Sequence, residues 1–371
     1  MTAESSHNKY MARALRLARK GLYTTAPNPR VGCVLVKSDR IVGEGWHERT
    51  GGPHAEVVAL QQAGEHAQGS TAYVTLEPCC HQGRTPPCTD ALQAAGVKEV
   101  VAAMHDPNPA VAGKGLAKLE AAGITVSCGL MQAQAEALNR GFVQRMRHRK
   151  PWVLSKLAMS VDGRTAMASG ESQWITSSAS RRQVHFLRAS NQAVMCGVGT
   201  VLADDPSLNV RLDESIPEGG WLQPIRVIVD SNLQTPVTAK MLQTDAHCLI
   251  FYAQADAARQ QQLRNAGAEL IHMPAANGQI DLNAVLTHLA ELQINDVLLE
   301  TGATLNGAML QAGLINELRI FMAPHLMGGE GRGLFNLPGL DSMDQRHAIT
   351  IQDIRAVGSD WCISATIQNT Q

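Results

Sequence analysis

An alternation of β-branched runs with helically spaced apolar segments occurs twice along this chain, with a single break between the two series. In the first series, residues 9–21 place Met11, Leu15, Ala18 and Leu22 at helical spacing, and Gly21 marks the stop. The runs 31–36 and 41–46, parted by Ser38 and Asp39, read as a hairpin. Helix 54–63, strand 71–76, helix 88–95 and strand 97–102 then alternate, with Gly96 as a C-cap. A helix near 113–122, a strand 124–127 and one long helix 131–146 complete the series. This pattern predicts an α/β layered domain with a largely parallel sheet.

The break is the basic stretch Arg145, Arg147, Arg149 and Lys150, closed by Pro151. Its residues read as a solvated helix end and linker. Strands at 153–158, 193–197, 225–229, 248–252 and 296–299 follow, with helices between them. A chain of 371 residues has the length of two domains, here 1–147 and 148–371.

Composition narrows the functional classes. The 32 Lys and Arg against 33 Asp and Glu leave a formal charge of -1, which excludes a general polyanion binder. With 44% hydrophobic residues the chain can bury ample core, so disorder is excluded for most of its length. No apolar run approaches the roughly 18 residues of a membrane helix, and the first residues lack an apolar signal core, so a cytoplasmic protein is expected. In that compartment the eight cysteines are reduced thiols or metal ligands. Cys33, Cys128, Cys196, Cys248 and Cys362 read as core packing. The other three, Cys79, Cys80 and Cys88, are clustered.

His54-Ala55-Glu56 is followed, 24 residues beyond His54, by Pro78-Cys79, and then by Cys88 after Pro86-Pro87. One His and two Cys make a three-ligand zinc site whose fourth position stays open to water, the catalytic rather than the structural arrangement. Glu56, two residues after the His and not itself a ligand, can take a proton from that water and return it to a leaving amine. His-x-Glu with a later Pro-Cys-x-x-Cys is the signature of zinc deaminases. Here eight residues, Cys80 to Pro87, separate the cysteines where nucleobase deaminases have two.

That insertion, Cys-His-Gln-Gly-Arg-Thr-Pro-Pro, resembles the deaminase half of the bifunctional riboflavin-biosynthesis deaminase-reductases. So do Pro27-Asn28-Pro29-Arg30-Val31-Gly32 and His105-Asp106-Pro107-Asn108-Pro109. The resemblance implies a cytidine-deaminase-like three-layer domain holding one zinc ion per chain on His54, Cys79 and Cys88. Cys80 adjoins Cys79 and is an alternative ligand, but the family places its ligand directly after Glu-Pro, which selects Cys79. His81 is assigned a loop role. Asn28, His47, Arg84, Asp106 and Asn108 match positions where the family holds its pyrimidine and ribose phosphate. Arg84 offers a fork suited to a phosphate monoester.

The second half has no Gly-x-Gly-x-x-Gly fingerprint after a strand, so a Rossmann cofactor site is not supported. Glu300-Thr-Gly302-Ala-Thr-Leu-Asn-Gly307-Ala308 directly follows a strand, and small residues there either expose N–H groups to a pyrophosphate or serve tight packing. Lys156-Leu-Ala158-Met-Ser160-Val-Asp162-Gly163, Gly170-Glu-Ser172-Gln-Trp174-Ile-Thr176, Arg188 and the segment from Thr200 to Arg211 are similar to the family's reductase half. That half implies a dihydrofolate-reductase-like α/β fold using NADPH. Ala158, Trp174, Thr200, Asp204, Ser231 and the loop Gly302, Ala303, Thr304, Leu305, Asn306, Gly307 and Ala308 would contact the dinucleotide. Lys156, Ser172, Arg188, Leu208, Arg211 and Glu300 would hold the substrate, although Lys156 and Asp162 also suit structural pairing.

The resemblance therefore implies zinc-dependent deamination of a phosphoribosylated diaminopyrimidinone, then NADPH-dependent reduction of its ribose. It implies small-molecule partners, no nucleic acid, no membrane and a homo-oligomer. Two alternatives remain at this stage. A nucleic-acid base deaminase would want a basic groove with stacking aromatics, which the composition lacks. A non-catalytic zinc module would close the fourth position, through Cys80 or His81.

Overall fold

Neighbouring residues of each central strand point to opposite faces, and in this chain both faces are apolar, so each sheet must be covered twice. The computed structural model describes residues 3–81, 86–109, 111–212, 221–243 and 246–368. The chain divides into two units, Met1–Arg149 and Lys150–Gln371.

The first unit holds strands β1 (Gly32–Lys37), β2 (Arg40–Trp46), β3 (Thr71–Val74), β4 (Glu99–Ala102) and β5 (Thr125–Cys128) in the order β2-β1-β3-β4-β5. Its helices are α1 (Ala3–Ala18), α2 (Ala55–Ala63), α3 (Cys88–Ala94), α4 (Lys114–Ala121), α5 (Gln132–Leu138) and α6 (Arg140–His148). Val34, Val36, Tyr73 and Val101 face Met11, Ala14 and Leu15 of α1. Cys33, Leu35, Val74 and Val100 face Ala59, Leu92, Leu116 and Leu119 on α2, α3 and α4. The result is a three-layer α/β domain. Gly43 and Gly45 let α2 lie close on β2, because a Cβ there would stand 2.2 Å from Ala59 O and 2.7 Å from Ala55 O.

Three expectations need correction here. The sheet is mixed rather than largely parallel: β1 pairs antiparallel with both β2 and β3, while β3, β4 and β5 are parallel. The single helix expected over 131–146 is two helices broken at Asn139, whose buried side chain accepts from Arg30 N at 2.7 Å and donates to Arg30 O at 2.9 Å. Cys128 is exposed, because it ends the edge strand β5. Cys33, Cys196, Cys248 and Cys362 are buried as expected.

The second unit contains strands β6 (Trp152–Ser160), β7 (Ala193–Gly197), β8 (Ile225–Val229), β9 (Cys248–Tyr252), β10 (Ala268–His272), β11 (Asp296–Leu299), β12 (Glu317–Ala323), β13 (Ile349–Val357) and β14 (Asp360–Ile367). They form one sheet in the order β10-β9-β8-β7-β11-β6-β12-β14-β13. The strands from β10 through β12 are parallel, and the terminal hairpin β13-β14 adds antiparallel to β12. Helices α7 (Ser178–Ser190), α8 (Val198–Asp204), α9 (Ala257–Asn265), α10 (Leu282–Glu291) and α11 (Ala303–Gln311) accompany it. Met195, Val227, Leu249 and Val297 build one core with Val285, Leu289 and Met309, while Val194, Ile228, Ile250 and Leu298 build another with Val201 and Leu263. Among the described residues no helix is long and apolar enough to cross a membrane.

Candidate active sites

His54 is the N-cap of α2, so Glu56 falls in the helix's first turn, where the helix dipole favours a carboxylate. Cys88 opens α3, and Cys79 lies beyond the end of β3. The three meet: His54 Nδ1 stands 3.2 Å from Cys88 Sγ and 3.6 Å from Cys79 Sγ, and Cys88 N donates to Cys79 Sγ at 3.4 Å. Their ligand atoms all lie within 4.8 Å of one another, and Cys80 is not part of the cluster. An imidazole nitrogen with two thiol sulfurs is a donor set that suits zinc. Hydrogen bonding from Cys88 and from His54 draws the Cys79 thiol down to about 4, whereas its bond to Cys79 and its burial push Cys88 upward. A cation held between the two sulfurs would favour the thiolate form of both.

Glu56 is only 4% exposed, and burial, reinforced by Cys79, pushes its carboxyl up to about 7. A carboxyl poised there can both take and give a proton at neutral pH. His47 lies edge-on to His54 with ring centroids 5.4 Å apart. Its Nδ1 faces Pro53 O at 3.0 Å and must donate, which leaves Nε2 to accept from Asn28 Nδ2 at 3.1 Å. Burial holds His47 below the ordinary histidine range, so it is neutral at pH 7. Asp106 is buried and raised to about 6, chiefly by that burial, and its Oδ1 accepts from Asn108 N at 2.8 Å. Arg84 lies outside the described residues.

In the second unit several of the expected residues lie at the carboxyl ends of parallel strands, where open α/β sheets bind ligands. Ala158 lies on β6, Thr200 and Asp204 lie in α8 after β7, Ser231 follows β8, and Gly302 to Ala308 follow β11. The loop's small residues divide between the two readings. Gly302 caps α11 with open space where a Cβ would stand, so the helix's first N–H groups carry no side-chain cap. Gly307 serves packing, since a Cβ there would stand 2.0 Å from Asn336 O. Asn306 is buried, with its side chain between Ser155 Oγ at 2.7 Å and Thr301 O at 2.9 Å. Trp174 is 70% exposed, and Arg181 lies 4.7 Å from its ring centroid.

Glu300 is the electrostatic centre of this end. Arg188 grips it with both arms, at 2.6 and 3.0 Å, and Lys156 Nζ stands 3.5 Å away. Burial alone would raise this carboxyl, but Arg188 and then Lys156 outweigh it and bring it to about 2. Arg188 also donates to Asn209 O at 3.1 Å, in the segment between buried Leu208 and exposed Arg211. Arg188 is therefore committed within the protein, and Arg211 is the more open fork. Asp162 accepts from Ser160 and from the backbone N–H groups of Met327 and Gly328, which ties the exit of β6 to that loop. Ser172 lies half-buried.

Over 361 residues the chain is 50% identical to the riboflavin biosynthesis protein RibD of Escherichia coli K12, covering 95% of this chain and 97% of that protein. The chain belongs to the RibD family. The RibD of Haemophilus influenzae is 48% identical over 365 residues, covering 96% of each chain. A solved Acinetobacter baumannii RibD structure superposes with a TM-score of 0.92 at 45% identity, over 99% of this chain and 100% of that one. A Thermotoga maritima structure, described as a diaminohydroxyphosphoribosylaminopyrimidine deaminase and 5-amino-6-(5-phosphoribosylamino)uracil reductase, gives 0.85 at 31% identity over 98% and 99%. The family model for the cytidine and deoxycytidylate deaminase zinc-binding region matches residues 4–104, and that for the RibD C-terminal domain matches residues 151–363.

Sequence reasoning gave no role to Glu77 or Asp360. Glu77 is a carboxylate directly after a fully buried strand run, the signal that could have flagged it. Asp360 accepts from Ser177 Oγ at 2.7 Å and Ser180 Oγ at 2.6 Å, which ties the terminal hairpin to the start of the helix that carries Arg188.

Proposed function

We propose that the chain is a bifunctional enzyme of riboflavin biosynthesis. Residues 1–147 hydrolytically deaminate 2,5-diamino-6-(5-phosphoribosylamino)pyrimidin-4-one. Residues 148–371 then reduce the ribose of 5-amino-6-(5-phosphoribosylamino)uracil to the ribityl chain with NADPH. The observation that carries this reading is the convergence of His54, Cys79 and Cys88, next to buried Glu56, in a chain that matches RibD proteins over nearly its full length.

His54, Cys79 and Cys88 would hold one zinc ion per chain. When bound, it lowers the pKa of a water at the site toward neutrality. Glu56 takes the proton and delivers it to the departing amine, so ammonia leaves as the ring carbon gains oxygen. Neutral His47 and Asn28 hold the ring, and Asp106, Asn108 and Arg84 complete the grip on the pyrimidine and its ribose phosphate. In the second unit NADPH supplies the hydride. Ala158, Trp174, Thr200, Asp204, Ser231 and Gly302 to Ala308 hold the dinucleotide. Ser172, Leu208 and Arg211 meet the substrate, while Lys156, Arg188 and Glu300 set the charge and shape of that pocket. The enzyme works in the cytoplasm as a homo-oligomer.

Neither alternative reading is favoured. A nucleic-acid deaminase has no use for a whole second unit that matches the RibD C-terminal domain. A closed zinc module would need Cys80 or His81 in the cluster, and among the described residues neither joins it. The test is Glu56→Gln: it retains zinc and reduces pre-deaminated substrate normally, but ammonia release falls by about 100-fold or more, the scale of a lost general acid-base group. Near-normal ammonia release would remove Glu56 from the chemistry.

A further inference from the structure

Glu77 is 3% exposed, and no Lys or Arg is paired with its carboxylate among the ion pairs of the described residues. Backbone N–H groups surround it instead. Oε2 accepts from Asp106 N at 3.1 Å and Gly113 N at 2.9 Å, and Oε1 accepts from Gly115 N at 2.8 Å and Leu116 N at 3.2 Å. His105 Nδ1 donates to Oε2 at 3.3 Å. The start of α4 has no side-chain cap of its own, so Glu77 satisfies its orphan donors from a distant strand end. The fit is close, since a Cβ on Gly115 would stand 2.0 Å from Pro78 O.

These contacts join two parts of the deaminase site. Glu77 lies two residues before the ligand Cys79. The N–H of Asp106 that it holds begins the turn in which the Asp106 carboxylate fixes Asn108 N. We infer that Glu77 is a positioning residue for the deamination, one that clamps the Asp106 to Asn108 turn against the start of α4 so that both side chains meet the phosphoribosylated pyrimidine. This rests on the proposed deaminase reading. A carboxylate is required because every partner is a donor, and an amide in its place would set its own N–H groups against some of them.

The experiment is a double-mutant cycle in the full-length, zinc-loaded chain, with Glu77→Gln, Asn108→Ala and the double variant. Glu77→Gln is expected to raise the deaminase KM about tenfold with kcat within about threefold, because substrate binding rather than the proton shuttle is loosened. Zinc content and reduction of pre-deaminated substrate should match the wild type. Since both residues act through one turn, the double variant should be hardly worse than the worse single one. Unchanged KM in Glu77→Gln beside a raised KM in Asn108→Ala would overturn the inference and leave the deaminase reading intact. Loss of zinc, or a fall in kcat alone, would also overturn it, by making Glu77 a support for Cys79 or for the fold at large. An unaltered KM in Asn108→Ala would defeat the site reading itself. Hydrogen exchange of the wild-type chain gives an answer even if Glu77→Gln does not fold: the amides of Asp106, Gly113, Gly115 and Leu116 should be protected together, and exchange at surface-loop rates would contradict the clamp.

Discussion

At the residue scale, the adjacent cysteines give the sharpest contrast. Cys79 Sγ lies within reach of both His54 and Cys88, while Cys80, one peptide bond away, is outside the cluster. Serine is a poor zinc ligand, so Cys79→Ser and Cys88→Ser should each empty the site while Cys80→Ser keeps about one zinc per chain, as metal analysis would read directly. Retention of zinc by Cys79→Ser with loss in Cys80→Ser would reverse the ligand assignment. The grouping of His54, Cys79 and Cys88 beside Glu56 was legible through donor types and the deaminase signature, while the choice of Cys79 over Cys80 came from the family resemblance. Glu77 was not, because its five donors come from residues 28 to 39 positions away and four of the five are backbone groups. Cys128 misled because composition does not reveal which strand lies at an edge.

At the element scale, Glu300 directly follows β11 and binds Lys156 on β6 and Arg188 on α7, so one carboxylate pins a helix to two strands. Its carboxyl is depressed from 4.5 to about 2 in the fold. A depressed acid contributes stability that is fully present above the unfolded value and lost as pH falls through the folded one. The urea midpoint of the second unit should therefore decline between about pH 4.5 and pH 2 more steeply in the wild type than in Glu300→Gln. At pH 7 Glu300→Gln should cost about 3 kcal/mol or more, because it leaves the largely covered Arg188 and Lys156 without their carboxylate. Equal acid sensitivity in the two proteins would show that the triad does not stabilise the fold. Most elements were legible from periodicity, but two failures are instructive. The helix break at Asn139 depends on a bond to Arg30, far away in sequence. The hairpin β13-β14 was missed because exposed Gln352, Asp353 and Arg355 interrupt an edge strand with a register shift, even though Gly358-Ser359 is a two-residue hairpin turn.

At the scale of the whole molecule, the alternating pattern and the break before Pro151 made two α/β units legible, and each unit has its own apolar cores on both faces of its sheet. A fragment from Lys150 to Gln371 should fold without zinc and oxidise NADPH only when given the deaminated, phosphorylated uracil. Arg211→Ala should raise its KM for that substrate with little change in NADPH affinity, since a charge-assisted phosphate contact is removed. A folded fragment that binds no dinucleotide would contradict the reductase assignment. The account as a whole is tested most directly by giving the zinc-loaded full-length chain the phosphoribosylated diaminopyrimidinone, with and without NADPH, and identifying the products by mass. It predicts that without NADPH an amino group is replaced by oxygen and ammonia appears, and that with NADPH the same product gains two hydrogens at the ribose. Ammonia release without substrate-dependent NADPH oxidation, or reduction of the substrate before it is deaminated, would contradict it.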